Sequence, residues 1–383
     1  MDVMLLAGTS AEAVKLAPLA MTLEGHGVLR PVVVHSDRPD SGADHTLAPF
    51  GLAVDIWLGV GPRSGDRQAE LLASLLPALD EVFRRHRPAA LVVTGDTITA
   101  LAGALAAFWA RIPVVHLDAG LLLHDLDPFP HENVRQMVAR IAALHLAPTT
   151  AAGAALRAEG VARQRITIVG NTAVDAVHYL AERDLPARCA ELALLEMEVN
   201  EAGQRLVLVV WESGESWGEP LDRTLHAVRR LVEEHYDVQV LFPVPPNPAL
   251  REQVVGGVGD LARVTITEPL DYPDLVRALR LSSLVLTDSD AIQEEAPAFA
   301  APVLVLRDYT QRREAIESGF AWLVGTDSDT VHIAATEVLI GHRQVSTAEN
   351  PYGDGNAAAR SVIALEDLLG IAEEHFSTWE ALS

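Results

Sequence analysis

Short apolar runs alternate along the whole chain with stretches whose apolar residues fall at helical spacing, and few folds accommodate that rhythm. Runs at 3–7, 31–35, 90–94, 113–117, 145–147 and 167–169 read as one set of strands. A second set follows at 206–211, 238–242, 264–267, 284–287, 303–306 and 321–324. Helical patterns at 12–23, 71–83, 98–109 and 133–144 lie between strands of the first set. Strands separated by helices must pair in parallel, and a parallel sheet needs both faces covered. At 383 residues the chain exceeds one ordinary core. The pattern predicts an α/β protein of two doubly wound, Rossmann-like domains with a cleft between them. The expected domains are 1–180 and 181–356, the charged stretch 181–204 carrying the crossing and some helix. A final segment, 357–383, is expected to form a helix that packs back on the first domain.

Composition narrows the function classes. The formal charge of −24 opposes any polyanion, and no basic patch interrupts it, so nucleic acid is not an expected partner. No apolar run approaches the roughly 20 residues that span a bilayer, and Met1-Asp2 leads directly into a strand, so neither a membrane role nor an export signal is expected. Cys189 is the only cysteine, which excludes an internal disulfide and a thiolate zinc cage. These features fit a cytoplasmic protein.

Lys15 is the only lysine, whereas the other 28 of the 29 basic residues are arginine. It follows the apolar run ending at Gly8 and falls in the first turns of the next helix, beside N–H groups that lack helical partners. An ammonium there suits a phosphate-bearing ligand; the alternative is a single lysine surviving a codon bias towards arginine. Other chemical residues also cluster after strands: Gly95-Asp96-Thr97, Asp118-Ala119-Gly120, Glu212 and Asp288-Ser289. Open α/β sheets bind ligands at those carboxyl ends.

Several longer segments are more specific. They are Leu286-Thr287-Asp288-Ser289 running into Ile292-Gln293-Glu294-Glu295-Ala296-Pro297, then Pro302 to Asp308, and Asn350-Pro351-Tyr352-Gly353-Asp354-Gly355. With Glu12-Ala13, Lys15, Gly95-Asp96-Thr97 and Gly170-Asn171-Thr172 with Asp175, the chain resembles the non-hydrolysing UDP-N-acetylglucosamine 2-epimerases over nearly its whole length. The resemblance implies the two-domain glycosyltransferase-B type fold, a homodimer, a UDP-linked amino sugar as substrate, and neither cofactor nor metal.

It also implies a chemistry. The C2 hydrogen of an N-acetyl sugar has no adjacent carbonyl, so simple proton exchange is too slow. The family eliminates UDP while removing the C2 proton, giving a 2-acetamidoglucal, then adds UDP back with the proton on the opposite face. General acids and bases around C2 and cations for the departing diphosphate are required. The implied catalytic candidates are Asp96, Asp118, His131, Glu132 and Glu212. The implied nucleotide and phosphate candidates are Lys15, Ser289, Asp290, Ala291, Glu295 and Arg312. Glu295 is expected on the ribose; the alternative for Glu294 and Glu295 is a solvated helix face. Asn350 to Gly355 also reads as a plain turn.

Departures from the family are equally specific. His131 stands where the family has glutamate, and Glu212 where it has histidine, so the pair either keeps an acid and a base in exchanged places or has drifted, with His131 in a surface loop. Asp118 is one methylene shorter than the usual glutamate. Ser10 and Leu122 replace arginines, Ser213 and Gly214 replace an arginine pair, Pro245 replaces a histidine, and Asp290 replaces a glycine beside the phosphate. Arg135, Arg312 and Arg313 are expected to compensate with Lys15, while Arg307 is open to an ion pair with Asp308 or a neighbour. A catalytically impaired nucleotide-sugar binder and a UDP-releasing hydrolase stay open beside the epimerase. The segment Ser36-Asp37-Arg38-Pro39 lacks the family's Gln-His pair for an activating second nucleotide sugar, so no such activation is expected. His124, Asp125, Asp127, His131 and Glu132 lie close together, but a carboxylate-rich loop is more commonly solvated than a metal site. Trp217 and Tyr309 read as packing or wall residues.

Overall fold

The computed structural model describes residues 1–39, 42–61, 67–121, 131–212 and 217–371. The chain divides into two compact units, Met1–Ala176 with Tyr352–Ser383, and Val177–Pro351. It leaves the first unit within the helix Thr172–Arg183. The crossing region carries a second helix, Ala190–Ala202.

The first unit holds seven strands: β1 (Asp2–Ala7), β2 (Arg30–His35), β3 (Ile56–Trp57), β4 (Ala90–Thr94), β5 (Val114–Leu117), β6 (Leu144–Ala147) and β7 (Ile166–Ile168). Their order is β3-β2-β1-β4-β5-β6-β7 and every pairing is parallel. The sequence pattern missed β3, because two residues are too few to show a period. The helix expected over 133–144 is His131–Ile141 instead, and Leu144 opens β6. Its apolar run, Ile141 to Leu146, spans a helix end and a strand start with no turn residue between them, so periodicity alone does not divide it. Met4 and Leu6 of β1 pack with Leu91 and Val93 of β4 against Leu75, Leu79 and Phe83 of the helix Gln68–His86.

The second unit holds β8 (Arg205–Val210), β9 (Val238–Pro243), β10 (Val264–Thr267), β11 (Ser282–Thr287), β12 (Val303–Val305) and β13 (Ala321–Leu323), ordered β10-β9-β8-β11-β12-β13, again all parallel. Both units are therefore doubly wound α/β domains. Val207, Val209, Trp211 and Phe242 form its core with Leu221, Leu225 and Val228 of the helix Glu219–Glu234, and Trp217 packs against that core. Tyr309, by contrast, is half exposed. Among the described residues no helix is long and apolar enough to cross a membrane.

Each order reverses once, beside β1 and β4 in the first sheet and beside β8 and β11 in the second. Successive crossovers leave that carboxyl-end gap uncovered, and ligands enter there.

The terminal helix Ala357–Leu369 belongs to the first unit and is fixed by the motif that begins at Gly170. Asn171 N–H donates to Tyr352 O at 2.8 Å. The Asp175 carboxylate accepts from Ala357 N–H at 3.2 Å and Ala358 N–H at 2.8 Å, capping the helix from 182 and 183 residues away. His26 meets Glu366 at 2.8 Å near the other end. Asn350 to Gly355 is thus more than a turn, since Tyr352 is buried and carries the docking carbonyl. Burial raises the Asp175 pKa against the lowering effect of those N–H groups. Asp175→Ala is expected to leave two buried donors unpaired and to cost about 2–6 kcal/mol, from ~1–3 kcal/mol for each lost partner. Urea unfolding of the variant checks it; an unchanged midpoint would dismiss the capping role.

Candidate functional site

The reversal point of the first sheet is organised by Glu12. Thr9 caps the helix Ser10–Glu24, and Glu12 reaches back in a reciprocal capping box. Its Oε2 accepts from Gly8 N–H at 2.6 Å and Thr9 N–H at 3.1 Å, while Oε1 accepts from Thr97 Oγ1 at 2.8 Å. One carboxyl group thereby ties the turn after β1 to the turn after β4. Glu12 is buried, and desolvation pushes its pKa up to about 7 against the hydrogen bonds from Gly8 and Thr97. Gly8 is required by close approach: a Cβ there would lie 2.4 Å from Thr99 Oγ1.

Lys15, in the second turn of that helix, pairs with Asp118, and both are largely buried, at 14 % and 6 % side-chain exposure. Asp118 follows β5 with φ of 61°, a left-handed conformation that aspartate tolerates better than most residues. Gly120, at φ of 91°, passes so close to the helix Thr150–Ala158 that a Cβ would meet Ala152 O at 2.3 Å.

Asp96 follows β4 and is held from the helix His131–Ile141. Its Oδ1 meets His131 Nδ1 at 3.1 Å, and its Oδ2 pairs with Arg135, one turn further along. Arg135 also donates to Leu121 O at 2.8 Å. His131 is half exposed, and its pKa is raised, first by the hydrogen bond to Asp96, against partial burial and the Arg135 charge. His131 therefore opens a helix and is bonded to a carboxylate, which removes the surface-loop alternative. Glu132 is fully buried and accepts from Gln136 Nε2 at 3.2 Å. Behind this layer, His116 Nε2 lies 2.9 Å from Gly95 O, and burial lowers its pKa.

The second reversal point collects a separate group. Asp288, fully buried after β11, accepts from Glu212 N–H at 2.7 Å, joining the ends of β8 and β11. Glu212 keeps an exposed surface, yet its carboxyl is crowded; desolvation raises its pKa, Ser289 opposes the rise, and Asp288 and Asp290 add to it. Ser289 caps the short helix Asp290–Glu295, which contains Ala291. Asp290 lies 3.4 Å from Arg307, the neighbour with which that arginine pairs.

The alternative of a solvated face for Glu294 and Glu295 falls, since both are buried. Glu294 forms an ion pair with Arg312, at 1 % and 6 % side-chain exposure, and Glu295 accepts from Tyr272 OH at 3.0 Å. Arg312 N–H also donates to Thr310 Oγ1, which in turn donates to Gln293 Oε1 at 2.6 Å. Three of the four compensating cations, Lys15, Arg135 and Arg312, thus already face a carboxylate. Arg313 is exposed and makes no ion pair among the described residues.

Sequence reasoning assigned no role to the Glu12 bridge, Thr97, Tyr272 or the Gln293–Thr310 link. The Thr9-Ser10-Ala11-Glu12 spacing was a readable capping-box signal, whereas the others depend on contacts between segments far apart in the chain. Leu122, His124, Asp125, Asp127, Ser213 and Gly214 lie outside the described residues. Among the described residues no group of His, Cys, Asp and Glu is arranged to hold a metal ion.

Comparison with known proteins adds a second line. A family model described as UDP-N-acetylglucosamine 2-epimerase matches residues 23–366. The UDP-N-acetylglucosamine 2-epimerase of Bacillus subtilis is 37% identical over 374 residues, covering 96% of this chain and 95% of that one. Among solved structures, S. aureus MnaA with UDP aligns with a TM-score of 0.88 at 34% identity, covering 97% of this chain and 98% of that one. The UDP-GlcNAc 2-epimerase from Neisseria meningitidis bound to UDP-GlcNAc aligns with a TM-score of 0.87 at 28% identity, covering 96% and 100%.

Two outcomes follow from the Glu12 turn. Gly8→Ala is expected to destabilise by about 1–3 kcal/mol through overpacking, because the new Cβ would meet both Oγ1 and Cβ of Thr99, at 2.4 and 2.6 Å, and the second of these atoms survives even in Thr99→Ala. A Gly8→Ala variant with an unchanged urea midpoint would refute the contact. Because the folded Glu12 pKa exceeds the ordinary 4.5, the folded state binds the extra proton, so stability is greatest below that value and falls until the pH passes about 7. The loss is about 3 kcal/mol at ~1.4 kcal/mol per pKa unit. Urea midpoints from pH 5 to 8 should slope more steeply for the wild type than for Glu12→Gln, and parallel slopes would exclude the shift.

Proposed function

The chain belongs to the UDP-N-acetylglucosamine 2-epimerase family, and on that premise we propose that it interconverts UDP-N-acetylglucosamine and UDP-N-acetylmannosamine, or a related UDP-2-acetamido pair, by eliminating and re-adding UDP. The observation that carries this reading is the coincidence of a family match over both units with acid–base groups gathered at both sheet reversals: Asp96, Asp118, His131 and Glu132 at one, and Glu212 at the other.

In this reading Asp96, Asp118, His131, Glu132 and Glu212 supply the candidates for moving the C2 proton. Low-dielectric surroundings favour such work at Glu212, whose carboxyl holds its proton more tightly because desolvation raises its pKa. Ser289, Asp290, Ala291 and Glu295 are assigned to the nucleotide, with Lys15 and Arg312 as cations that would exchange a carboxylate partner for phosphate. Arg313 follows Arg312 directly and is exposed. The protein is proposed to act as a cytoplasmic homodimer, without cofactor.

The pairing of Lys15, Arg135 and Arg312 with carboxylates favours one second reading, a nucleotide-sugar binder without turnover. At an effective dielectric near 20 a close charge pair is worth about 4 kcal/mol at ~4 Å, so an incoming diphosphate must compete with contacts of that order. Proton NMR in deuterated water with UDP-N-acetylglucosamine separates the readings. The epimerase should yield the manno epimer with deuterium at C2. Folded protein that binds UDP by calorimetry but gives neither signal is the binder, and free sugar accumulating with UDP identifies a hydrolase.

A further inference from the structure

We propose that His131 carries the C2 proton in this chain and that Asp96 acts on it as a positioning residue, an inference that rests on the epimerase reading. Asp96 is the more obvious base, but both of its oxygens are already engaged by one helix. His131 Nδ1 meets Oδ1 at 3.1 Å, and the Arg135 guanidinium holds Oδ2. A carboxylate beside a nearly buried guanidinium is stabilised as the anion and is a weak proton acceptor. His131 has the complementary properties. It is 51 % exposed, and its Nε2 makes no hydrogen bond among the described residues.

An Asp96 oxygen at Nδ1 fixes the tautomer. With the proton on Nδ1, the lone pair lies on Nε2, the arrangement a general base requires. Once Nε2 is protonated, Asp96 faces the imidazolium and stabilises it. Asp96 and Arg135 set the charge balance around the ring. Asp96 favours the charged form and Arg135 opposes it, the Asp96 hydrogen bond being the largest influence. Glu132, on the same helix, is buried and bonded to Gln136, and Lys15 and Asp118 neutralise each other on the neighbouring elements.

The step balances without another reactant. Nε2 takes the C2 proton, the C–H electron pair becomes the C1–C2 double bond, and the C1–O bond breaks with its pair leaving on the UDP oxygen. In the return that oxygen attacks C1, and C2 receives a proton on the opposite face from the second acid that inversion demands. Asn at position 131 can keep a hydrogen bond to Asp96 but offers no base.

His131→Asn is expected to lower C2 deuterium incorporation at least about 100-fold while leaving KM within about threefold, the range general-base loss produces. Asp96→Asn should lower kcat and move the acidic limb of its pH profile to lower pH, because the imidazole loses the anion that holds its proton. The His131 ring resonance, identified by its absence in His131→Asn, should titrate at lower pH in Asp96→Asn than in the wild type. Turnover by His131→Asn at the wild-type rate, or a ring titration unmoved by Asp96→Asn, would overturn the assignment. A wild type inactive on every UDP-2-acetamido sugar tested defeats the epimerase reading instead, and the ring titration still decides whether Asp96 governs His131.

Discussion

Parallel pairing in both sheets is the constraint from which the remaining structure follows. A parallel strand needs a crossover, crossovers of one hand place helices on both faces, and a sheet wound outward in two directions leaves one uncovered gap at its strand ends. In the first unit that gap lies beside β1 and β4, and Gly8, Thr9, Asp96 and Thr97 all follow these two strands. In the second it lies beside β8 and β11, which Glu212 and Asp288 follow. These residues sit where the backbone has no covering layer, on turns anchored by strands.

What holds those turns is a small number of buried carboxylates, each with a different partner type. Glu12 accepts from two backbone N–H groups and a threonine, Asp288 from a backbone N–H, and Asp175 from the first N–H groups of the terminal helix. Backbone donors stabilise a carboxylate without spending a cation, which suits a chain of formal charge −24. Three cations near the sites, Arg135, Lys15 and Arg312, are committed to Asp96, Asp118 and Glu294. On the proposed function, binding an anionic substrate would require these cations to exchange carboxylate partners for phosphate.

The twelve strands expected from apolar runs all occur, because a parallel strand buried on both faces must be apolar throughout and so announces itself. The helix 98–109 was legible to the residue, bounded by Thr97 as its cap. The two-residue strand β3 was not, and neither was the boundary between the helix ending at Ile141 and β6, where apolar residues continue across both elements. At the sites, the sequence drew attention to Lys15, Asp96, Asp118, His131 and Glu212, since unusual residues after strand ends carry a positional meaning. It left a solvated face open as the alternative for Glu294 and Glu295, because a short helix of charged residues looks exposed until Arg312 and Tyr272 are brought to it from elsewhere.

The sequence alone determined the alternation of strand and helix, hence the parallel doubly wound sheets, and the residue types that end each strand, since these depend on local pattern and on neighbours within a few positions. Only the tertiary structure decided which charges meet: Lys15 with Asp118 across 103 residues, His131 with Asp96 across 35, and Asp175 with the terminal helix across 182. Such pairings are set by strand order and by the burial that makes an unpaired charge costly, and neither is written in the spacing of any one segment.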